Sequence, residues 1–213
     1  VPGLTPELRE RHEGRVVQVL PMPPADTTTH AEGGAVGYLA TIAFPTINFG
    51  ASLPNLLATV AGNLFELRQV SGLRLLDLAV PTAFAAACPG PAFGIAGTRR
   101  LAVVPQGPLI GTIVKPSVGL SPEETALTVR QLLAGGIDFI KDDELQADGP
   151  HCPFDERVRA VMREVHEAAQ RHGRQAMVAF NLTGEIDEMR RRHDRVQQLG
   201  GSCVMVSRNS VGL

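Results

Sequence analysis

The chain has 213 residues, of which 44% are hydrophobic and 20% charged, so it can bury the core of one large domain or two small ones. Its formal net charge of −2 excludes the strongly basic surface that nucleic acid or an anionic membrane would require, and we expect neither as a partner. No apolar run reaches the roughly 18 residues of a transmembrane helix. The three cysteines, Cys88, Cys152 and Cys203, are widely spaced, which predicts free thiols and a cytoplasmic protein.

The first half of the chain mixes strands and helices between loops rich in proline and glycine. Alternating or continuous apolar runs predict the strands, and a stripe of leucine and valine at helical spacing predicts one helix. The predicted strands are 15–20, 36–44 and 73–80, the helix is 53–67, and the loops are 21–34 and 88–97. We therefore predict an amino-terminal α+β domain over residues 1–105, incomplete at its start.

The second half alternates regularly between short apolar strands and longer helices. The predicted strands are 109–114, 137–141, 175–181 and 203–207, and the helices are 122–134, 154–172 and 185–199. Ser121 and Glu124 form the capping-box pattern at the first of these helices. Strands that are apolar throughout predict parallel βα units, in a barrel or in an open doubly wound sheet. Because no glycine-rich dinucleotide loop follows the first strand, we favour an α/β fold in which 106–213 form half of a (β/α)8 TIM barrel.

Lysine occurs only at positions 115 and 141, against eighteen arginines. Arginine can supply charge anywhere but cannot lose its proton, whereas the acidity of a lysine amine can be tuned by its surroundings. Lys115 and Lys141 each close a predicted strand, and the carboxyl ends of parallel strands are where barrel enzymes build their sites. The two lysines therefore predict an active site at the ends of the first two barrel strands.

Lys141 is followed by the acidic residues Asp142, Asp143 and Glu144. Lys141 and Asp143 should point to the same side of the strand, whereas Asp142 points to the other side and is expected to be structural. The residues alone leave three interpretations open. Lys141 could simply pair with the carboxylates, it could carry CO₂ as a carbamate and join them in binding Mg²⁺, or one of the two lysines could form a Schiff base as in aldolase barrels.

Two motifs carry a family resemblance. The sequences at 111–121 (GTIVKPSVGLS) and 135–144 (GGIDFIKDDE) resemble the ribulose bisphosphate carboxylase large-subunit superfamily, and so do 60–65, 73–81, 90–95 and 203–213. The resemblance covers nearly the whole chain. It implies a ferredoxin-like amino-terminal α+β domain followed by a (β/α)8 barrel, of which about four βα units are present.

The resemblance also implies roles for individual residues. Lys141 matches the lysine that carries CO₂ as a carbamate, and it would bind Mg²⁺ together with Asp143 and Glu144. Lys115 matches an active-site lysine that serves proton transfer or substrate binding. Asn63 matches an asparagine that reaches into the neighbouring subunit's site, which implies a homodimer or larger homo-oligomer with shared active sites.

Ser117 is the main departure from the family's carboxylases, which have a second lysine there. The absence of that lysine implies a RuBisCO-like protein that retains enolisation chemistry without productive CO₂ fixation. Ser117 would then contact a phosphorylated sugar-type substrate. We expect a Mg²⁺-dependent lyase, such as a 3-oxo-isoapionate 4-phosphate decarboxylase or transcarboxylase/hydrolase. The alternatives are a methionine-salvage enolase of 2,3-diketo-5-methylthiopentyl-1-phosphate, an isomerase of 5-methylthioribulose-1-phosphate, and a non-catalytic paralogue that serves as an assembly or binding subunit.

Four barrel strands leave half of an eight-stranded barrel unaccounted for. Such a half would expose an unpaired strand edge and an uncovered core. We therefore expect the 213 residues to be a segment of a protein roughly twice as long.

Overall fold

The computed structural model describes residues 3–22, 37–70 and 72–212. The chain divides into two compact units, Val1–Gly90 and Pro91–Leu213. The domain boundary between residues 105 and 106 stays a prediction. Most of the predicted loop 21–34 lies outside the described residues.

The first unit contains a two-stranded antiparallel sheet, in which the first strand has an irregularity between Val16 and Gln18. Both strands coincide closely with the two apolar runs predicted at 15–20 and 36–44. The elements are α1 (Pro6–His12), β1 (Arg15–Pro21), β2 (Tyr38–Ala43), α2 (Leu53–Ala61) and α3 (Thr82–Ala86).

A small apolar cluster holds this unit together. Leu56 and Val60, one turn apart on α2, are buried with Phe49 and Phe84. The two phenylalanine rings meet edge to face with their centroids 6.2 Å apart, an arrangement that aromatic pairs prefer. The amphipathic spacing of α2 therefore places Leu56 and Val60 on its buried face.

The predicted helix 53–67 is interrupted at Gly62. Helix α2 ends at Ala61, and a short 3-10 helix, Asn63–Glu66, follows it. A Cβ atom on Gly62 would lie 2.3 Å from the carbonyl oxygen of Ala58, closer than any side chain can approach. The chain bends where only glycine fits, and apolar periodicity cannot detect such a close contact.

Two other predictions in this region were wrong. Residues 73–80 form no strand, because a strand requires a hydrogen-bonded neighbour and these described residues have none. The predicted loop 88–97 overlaps helix α4 (Gly94–Ala102). Within that helix, a Cβ on Gly97 would lie 2.8 Å from the Cβ of Phe93, so this glycine allows close packing and does not end the helix.

The second unit is built on a four-stranded parallel sheet in the order β3-β4-β5-β6. Helices follow the strands in regular alternation, which confirms the predicted series of βα units. The strands are β3 (Gly111–Ile113), β4 (Phe139–Lys141), β5 (Met177–Asn181) and β6 (Cys203–Met205), and the helices are α5 (Pro122–Ala134), α6 (Phe154–His172), α7 (Ile186–Gln198) and α8 (Arg208–Val211).

The core of this unit lies between the sheet and helices α5 and α6. Strand β5 is buried along its whole length, as expected for a central strand of a parallel sheet. On α6, Val158, Val161 and Val165 recur at helical spacing and are fully buried beside Ile140 of β4. No described helix combines the length and the apolar character needed to cross a bilayer.

The helix boundaries follow local chemistry. The hydroxyl of Ser121 accepts a hydrogen bond from the Glu124 amide, and the Glu124 carboxylate accepts one from the Ser121 amide, so the predicted capping box is present. Helix α6 ends at Gly173, whose φ of 67° is favourable for glycine. These boundaries set where each strand begins and therefore which residues lie at its carboxyl end.

Replacing Gly62 with alanine should destabilise the first unit. The new methyl group would overlap the Ala58 carbonyl, and we expect the free energy of unfolding to fall by about 1–3 kcal/mol in urea denaturation of the full-length protein. Gly72→Ala is the matched control, because a Cβ there meets no atom within 4 Å. Equal effects of the two substitutions would contradict the close contact.

Candidate active site

The two lysines lie at the carboxyl ends of neighbouring strands, as predicted. Lys141 is the last residue of β4 and pairs with Ile113 of β3, and Lys115 follows Ile113 by two residues. The amide of Val114 donates to the carbonyl of Lys141 over 2.9 Å. Parallel pairing thus brings together two chemical groups that are 26 positions apart in the sequence.

Lys115 joins Ser117 to Asp143. Its Nζ lies 2.8 Å from the hydroxyl oxygen of Ser117 and 2.6 Å from Oδ2 of Asp143. The Asp143 side chain is only 8% exposed, whereas that of Lys115 is 61% exposed. The other carboxylate oxygen of Asp143 accepts from the amide of Leu145 over 3.0 Å. Asp143 is therefore held from both sides, and Lys115 remains open to a ligand.

Lys141 makes a second ion pair. Its Nζ lies 2.8 Å from Oε1 of Glu144 and 2.9 Å from the carbonyl oxygen of Asp142. Each lysine thus has its own carboxylate partner, in agreement with the ion-pair interpretation of the sequence. The first pair joins the ends of β3 and β4, whereas the second lies at the end of β4 alone.

Both paired carboxyl groups are stronger acids than usual. The ammonium of Lys115, followed by the Leu145 amide, lowers the pKa of Asp143 from 3.8 to about 2. The ammonium of Lys141 lowers the pKa of Glu144. Asp143 and Glu144 are therefore anionic at neutral pH, the form in which carboxylates bind cations.

The donor set suits a magnesium ion only if a third oxygen ligand is supplied. Among residues 3–22, 37–70 and 72–212, no three histidine, cysteine or acidic side chains form a cluster that could hold a metal ion. A protonated Lys141 would repel a cation, but a carbamate on its Nζ, 2.8 Å from Glu144, would add anionic oxygens. Together with Asp143 and Glu144 it would form the all-oxygen set that Mg²⁺ prefers, so the residues fit the ion.

Asp142 is structural, as the alternation along the strand predicted. Its side chain is buried, and Oδ2 accepts from Nη2 of Arg157 over 3.2 Å and from the amide of Asn181 over 3.0 Å. Burial raises the pKa of Asp142, opposed by the charge of Arg157. Its neighbours at 141 and 143 consequently point toward the candidate site.

Two polar residues that hydrogen-bond to the main chain of Asp143 or Glu144 were not predicted from the sequence. The side-chain amide of Asn181, fully buried, donates to the carbonyl oxygens of Asp143 and Glu144. The side chain of Gln146 accepts from the amide of Asp143 over 3.0 Å. One signal was available for Asn181, since it is a polar residue at the carboxyl end of a buried parallel strand.

Two clefts of about 320 and 410 Å³ lie away from the lysines. Both are lined by Ala134, Ala168 and His172, at the carboxyl ends of α5 and α6. Because these helices run antiparallel to the strands in βα units, that end is opposite the strand ends that carry Lys115 and Lys141. The clefts are therefore not part of the candidate site.

Asn63 belongs to the first unit, where it begins the 3-10 helix Asn63–Glu66. Its predicted contribution to a neighbouring subunit's site stays a prediction. The three cysteines are free thiols in the structure.

Removing the Lys115 ammonium should raise the pKa of Asp143. The folded pKa of about 2 lies below the ordinary 3.8, so this group stabilises the fold above about pH 4 and the contribution is lost as the pH falls toward 2. In Lys115→Met we expect the Asp143 pKa to move toward 3.8 and less stability to be lost over that range.

Carboxyl ¹³C NMR titration of the full-length protein, with chelator present, measures this change. Lys141→Met is the matched control, because its amine pairs with Glu144 and should leave the Asp143 pKa low. An unchanged Asp143 pKa in Lys115→Met would contradict the assignment.

The chain matches both domains of one protein family. Residues 94–213 match the ribulose bisphosphate carboxylase large chain catalytic domain, and residues 19–84 match the N-terminal domain of the same chain. The 3-oxo-isoapionate-4-phosphate transcarboxylase/hydrolase of Xanthobacter autotrophicus is 61% identical over 98% of this chain and 51% of the relative. A 3-oxo-isoapionate-4-phosphate decarboxylase of Rhizobium etli is 42% identical over 100% of this chain and 52% of the relative.

A solved structure shows the same architecture. The crystal structure of a rubisco-like protein from Burkholderia fungorum superposes with a TM-score of 0.87 at 45% identity, over 96% of this chain and 53% of that one. The chain spans about half the length of the curated relatives it matches. Its fold is the family's amino-terminal domain followed by part of the barrel, as the sequence motifs predicted. The chain therefore belongs to the ribulose bisphosphate carboxylase large chain family, among the RuBisCO-like proteins.

Proposed function

We propose that the full-length protein is a Mg²⁺-dependent lyase acting on a phosphorylated keto-sugar acid of the 3-oxo-isoapionate 4-phosphate type. The observation that carries this proposal is the contact between Lys115 and Asp143, which joins an exposed amine to a metal-compatible carboxylate at adjacent strand ends. The named enzymes that are 61% and 42% identical to the chain support the substrate class.

In this proposal Lys141, as its carbamate, binds Mg²⁺ together with Asp143 and Glu144. Two observations support this assignment: the Nζ of Lys141 lies 2.8 Å from Glu144, and the lowered pKa of Asp143 and of Glu144 keeps both carboxylates anionic at neutral pH. When bound, the magnesium ion polarises a carbonyl or enediolate oxygen of the substrate.

Lys115 is the proposed group that transfers a proton to or from the substrate. Its amine is exposed and lies 2.6 Å from Asp143, and in this proposal it transfers a proton at the carbon next to the carbonyl that the magnesium ion would polarise. In a decarboxylation the same amine would supply the proton that replaces the departing CO₂. Ser117 accepts from Lys115 over 2.8 Å, so its hydroxyl helps to orient the amine, and in this proposal it also contacts substrate.

The serine at 117 argues against a productive CO₂-fixing carboxylase. A hydroxyl cannot replace the positive charge of the lysine that the carboxylases have at this position. We therefore place the reaction at the shared enolisation and carbon–carbon cleavage steps. Decarboxylase and transcarboxylase/hydrolase activity remain two forms of this proposal, and the higher identity of the transcarboxylase/hydrolase favours that form.

The proposed active unit is a homodimer or a larger homo-oligomer in the cytoplasm. Asn63 would contribute to the site of the neighbouring subunit, in keeping with the match of residues 19–84 to the family's N-terminal domain. Neither nucleic acid nor a membrane is part of the proposal.

Substitution of Lys141 by alanine tests the metal site. In assays of the full-length protein with 3-oxo-isoapionate 4-phosphate, Mg²⁺ and bicarbonate, we expect turnover to fall at least about 100-fold, because the third oxygen ligand is lost. Stimulation by bicarbonate should disappear as well. Arg190→Ala, which removes an exposed cation from α7, should retain full activity.

Two results would contradict the metal model. The first is activity that ignores metal, bicarbonate and Lys141→Ala. The second is covalent trapping of Lys115 or Lys141 by substrate and borohydride, which would instead indicate a Schiff base. Turnover of 2,3-diketo-5-methylthiopentyl-1-phosphate or 5-methylthioribulose-1-phosphate in preference to the sugar acid would assign the protein to methionine salvage. Absence of turnover with all three would favour the non-catalytic paralogue.

Substitution of Lys115 by methionine tests proton transfer separately. The side chain keeps a similar length but cannot accept or donate a proton, so we expect kcat to fall about 10²–10⁴-fold. Binding of Mn²⁺, measured by titration calorimetry with bicarbonate present, should persist. If kcat stays unchanged while KM rises, Lys115 binds substrate and does not transfer the proton.

A further inference from the structure

The acidic segment, residues 141–146, is held by buried polar groups that belong to other parts of the barrel. Its side chains Lys141, Asp143 and Glu144 carry the proposed chemistry, but beyond Lys141, the last residue of β4, its main chain forms a loop. A loop that must direct three side chains to one point requires external support for its carbonyl and amide groups.

Asn181 supplies such support from the end of β5. Its Nδ2 donates to the carbonyl oxygen of Asp143 over 3.3 Å and to that of Glu144 over 3.0 Å. The side-chain amide of Asn181 thus donates to the carbonyl oxygens of two consecutive residues of the acidic segment. The Asn181 amide nitrogen also donates to the carboxylate of Asp142 over 3.0 Å. One residue therefore contacts three consecutive positions of the segment.

Asn181 is itself fixed in orientation. Its Oδ1 accepts from the amide of Thr183 over 3.0 Å. The hydroxyl of Thr183 in turn accepts from the amide of Ser207 over 2.8 Å, just after β6. A continuous series of hydrogen bonds therefore runs along the carboxyl ends of β4, β5 and β6, with Asn181 at its centre.

From helix α6, Arg157 supports both the acidic segment and the residue that follows it, Ala147. The guanidinium is buried, pairs with Asp142 over 3.2 Å, and donates to the carbonyls of Gln146 and Ala147 over 3.1 and 2.8 Å. A buried charge costs free energy unless its partner stays within reach, so Asp142 is held in position by its pairing with Arg157. Asn181 and Arg157 thus hold the same turn from two elements.

We propose that Asn181 is a positioning residue for the metal site. It holds the peptide groups of Asp143 and Glu144 so that their carboxylates and the Lys141 amine are directed to one point. This inference rests on the proposed Mg²⁺-dependent function. Asn181 acts through the main chain and does not itself touch metal or substrate.

Asn181→Asp is the most direct test. The side chain keeps its size, but an anionic oxygen replaces the donor that faces two carbonyl oxygens, and the segment loses its support. We expect the dissociation constant for Mn²⁺ with bicarbonate, measured by calorimetry on the full-length protein, to rise at least about 10-fold. The Mn²⁺ electron paramagnetic resonance spectrum should also change. Asn181→Ser, which is smaller and uncharged, should weaken binding in the same direction and replaces the aspartate variant if that variant fails to fold.

Glu164→Gln controls for the loss of any buried polar contact. Glu164 is buried and pairs with Arg130, and it joins α6 to α5 without contacting the acidic segment. This variant should lower the thermal unfolding temperature while its Mn²⁺ dissociation constant and spectrum stay those of the wild type.

The outcomes separate the inference from the function on which it rests. If the wild-type protein binds no Mn²⁺ and Lys141→Ala changes nothing, the proposed function is wrong. If the wild type binds Mn²⁺ in a Lys141-dependent manner but both Asn181 variants bind it equally well, the positioning role alone is overturned. Equal weakening by Glu164→Gln would also overturn it, because general destabilisation would then account for the loss.

Discussion

The burial of Asp142 is the constraint on which the candidate site depends. The side chains of Asp142 and Arg157 lie almost entirely out of solvent. Separating the two charges there would leave each one buried without a partner, at a high cost in free energy, so the pair keeps its geometry. Because successive side chains alternate at a strand end, holding this carboxylate against Arg157 of α6 directs Lys141 and Asp143 to the opposite side. The chemistry of the site thus depends on a contact that takes no part in it.

The site combines opposite charges in two separate pairs. Lys115 with Asp143, and Lys141 with Glu144, each place an amine within hydrogen-bond distance of a carboxylate. Lys115 is largely exposed, so its pair contributes little to stability compared with a buried pair. We propose that these groups serve binding and proton transfer and not the stability of the fold. The second unit is held together by the apolar contacts of α5 and α6 with the sheet.

Local sequence signals predicted the barrel half well and the first unit less well. The boundaries of α5 and α6 follow from a capping box and a terminal glycine, which act within a few residues. The helix breaks at Gly62 because of close contact with the carbonyl of Ala58, one turn away. Residues 73–80 could form a strand only if a partner strand lay alongside them. Apolar periodicity contains no information about either condition.

The sequence by itself determined the chemical groups of the site and their order along the strands. Two lysines among eighteen arginines, and the run from Lys141 to Glu144, predicted the candidate site because arginine cannot supply the chemistry of a lysine amine. Only the tertiary structure decided which carboxylate each lysine contacts and that Asn181 supports the acidic segment. The contacts of Lys115 with Asp143 and of Asn181 with Glu144 join the ends of different strands, so their distances follow from the packing of the sheet and not from spacing along the chain.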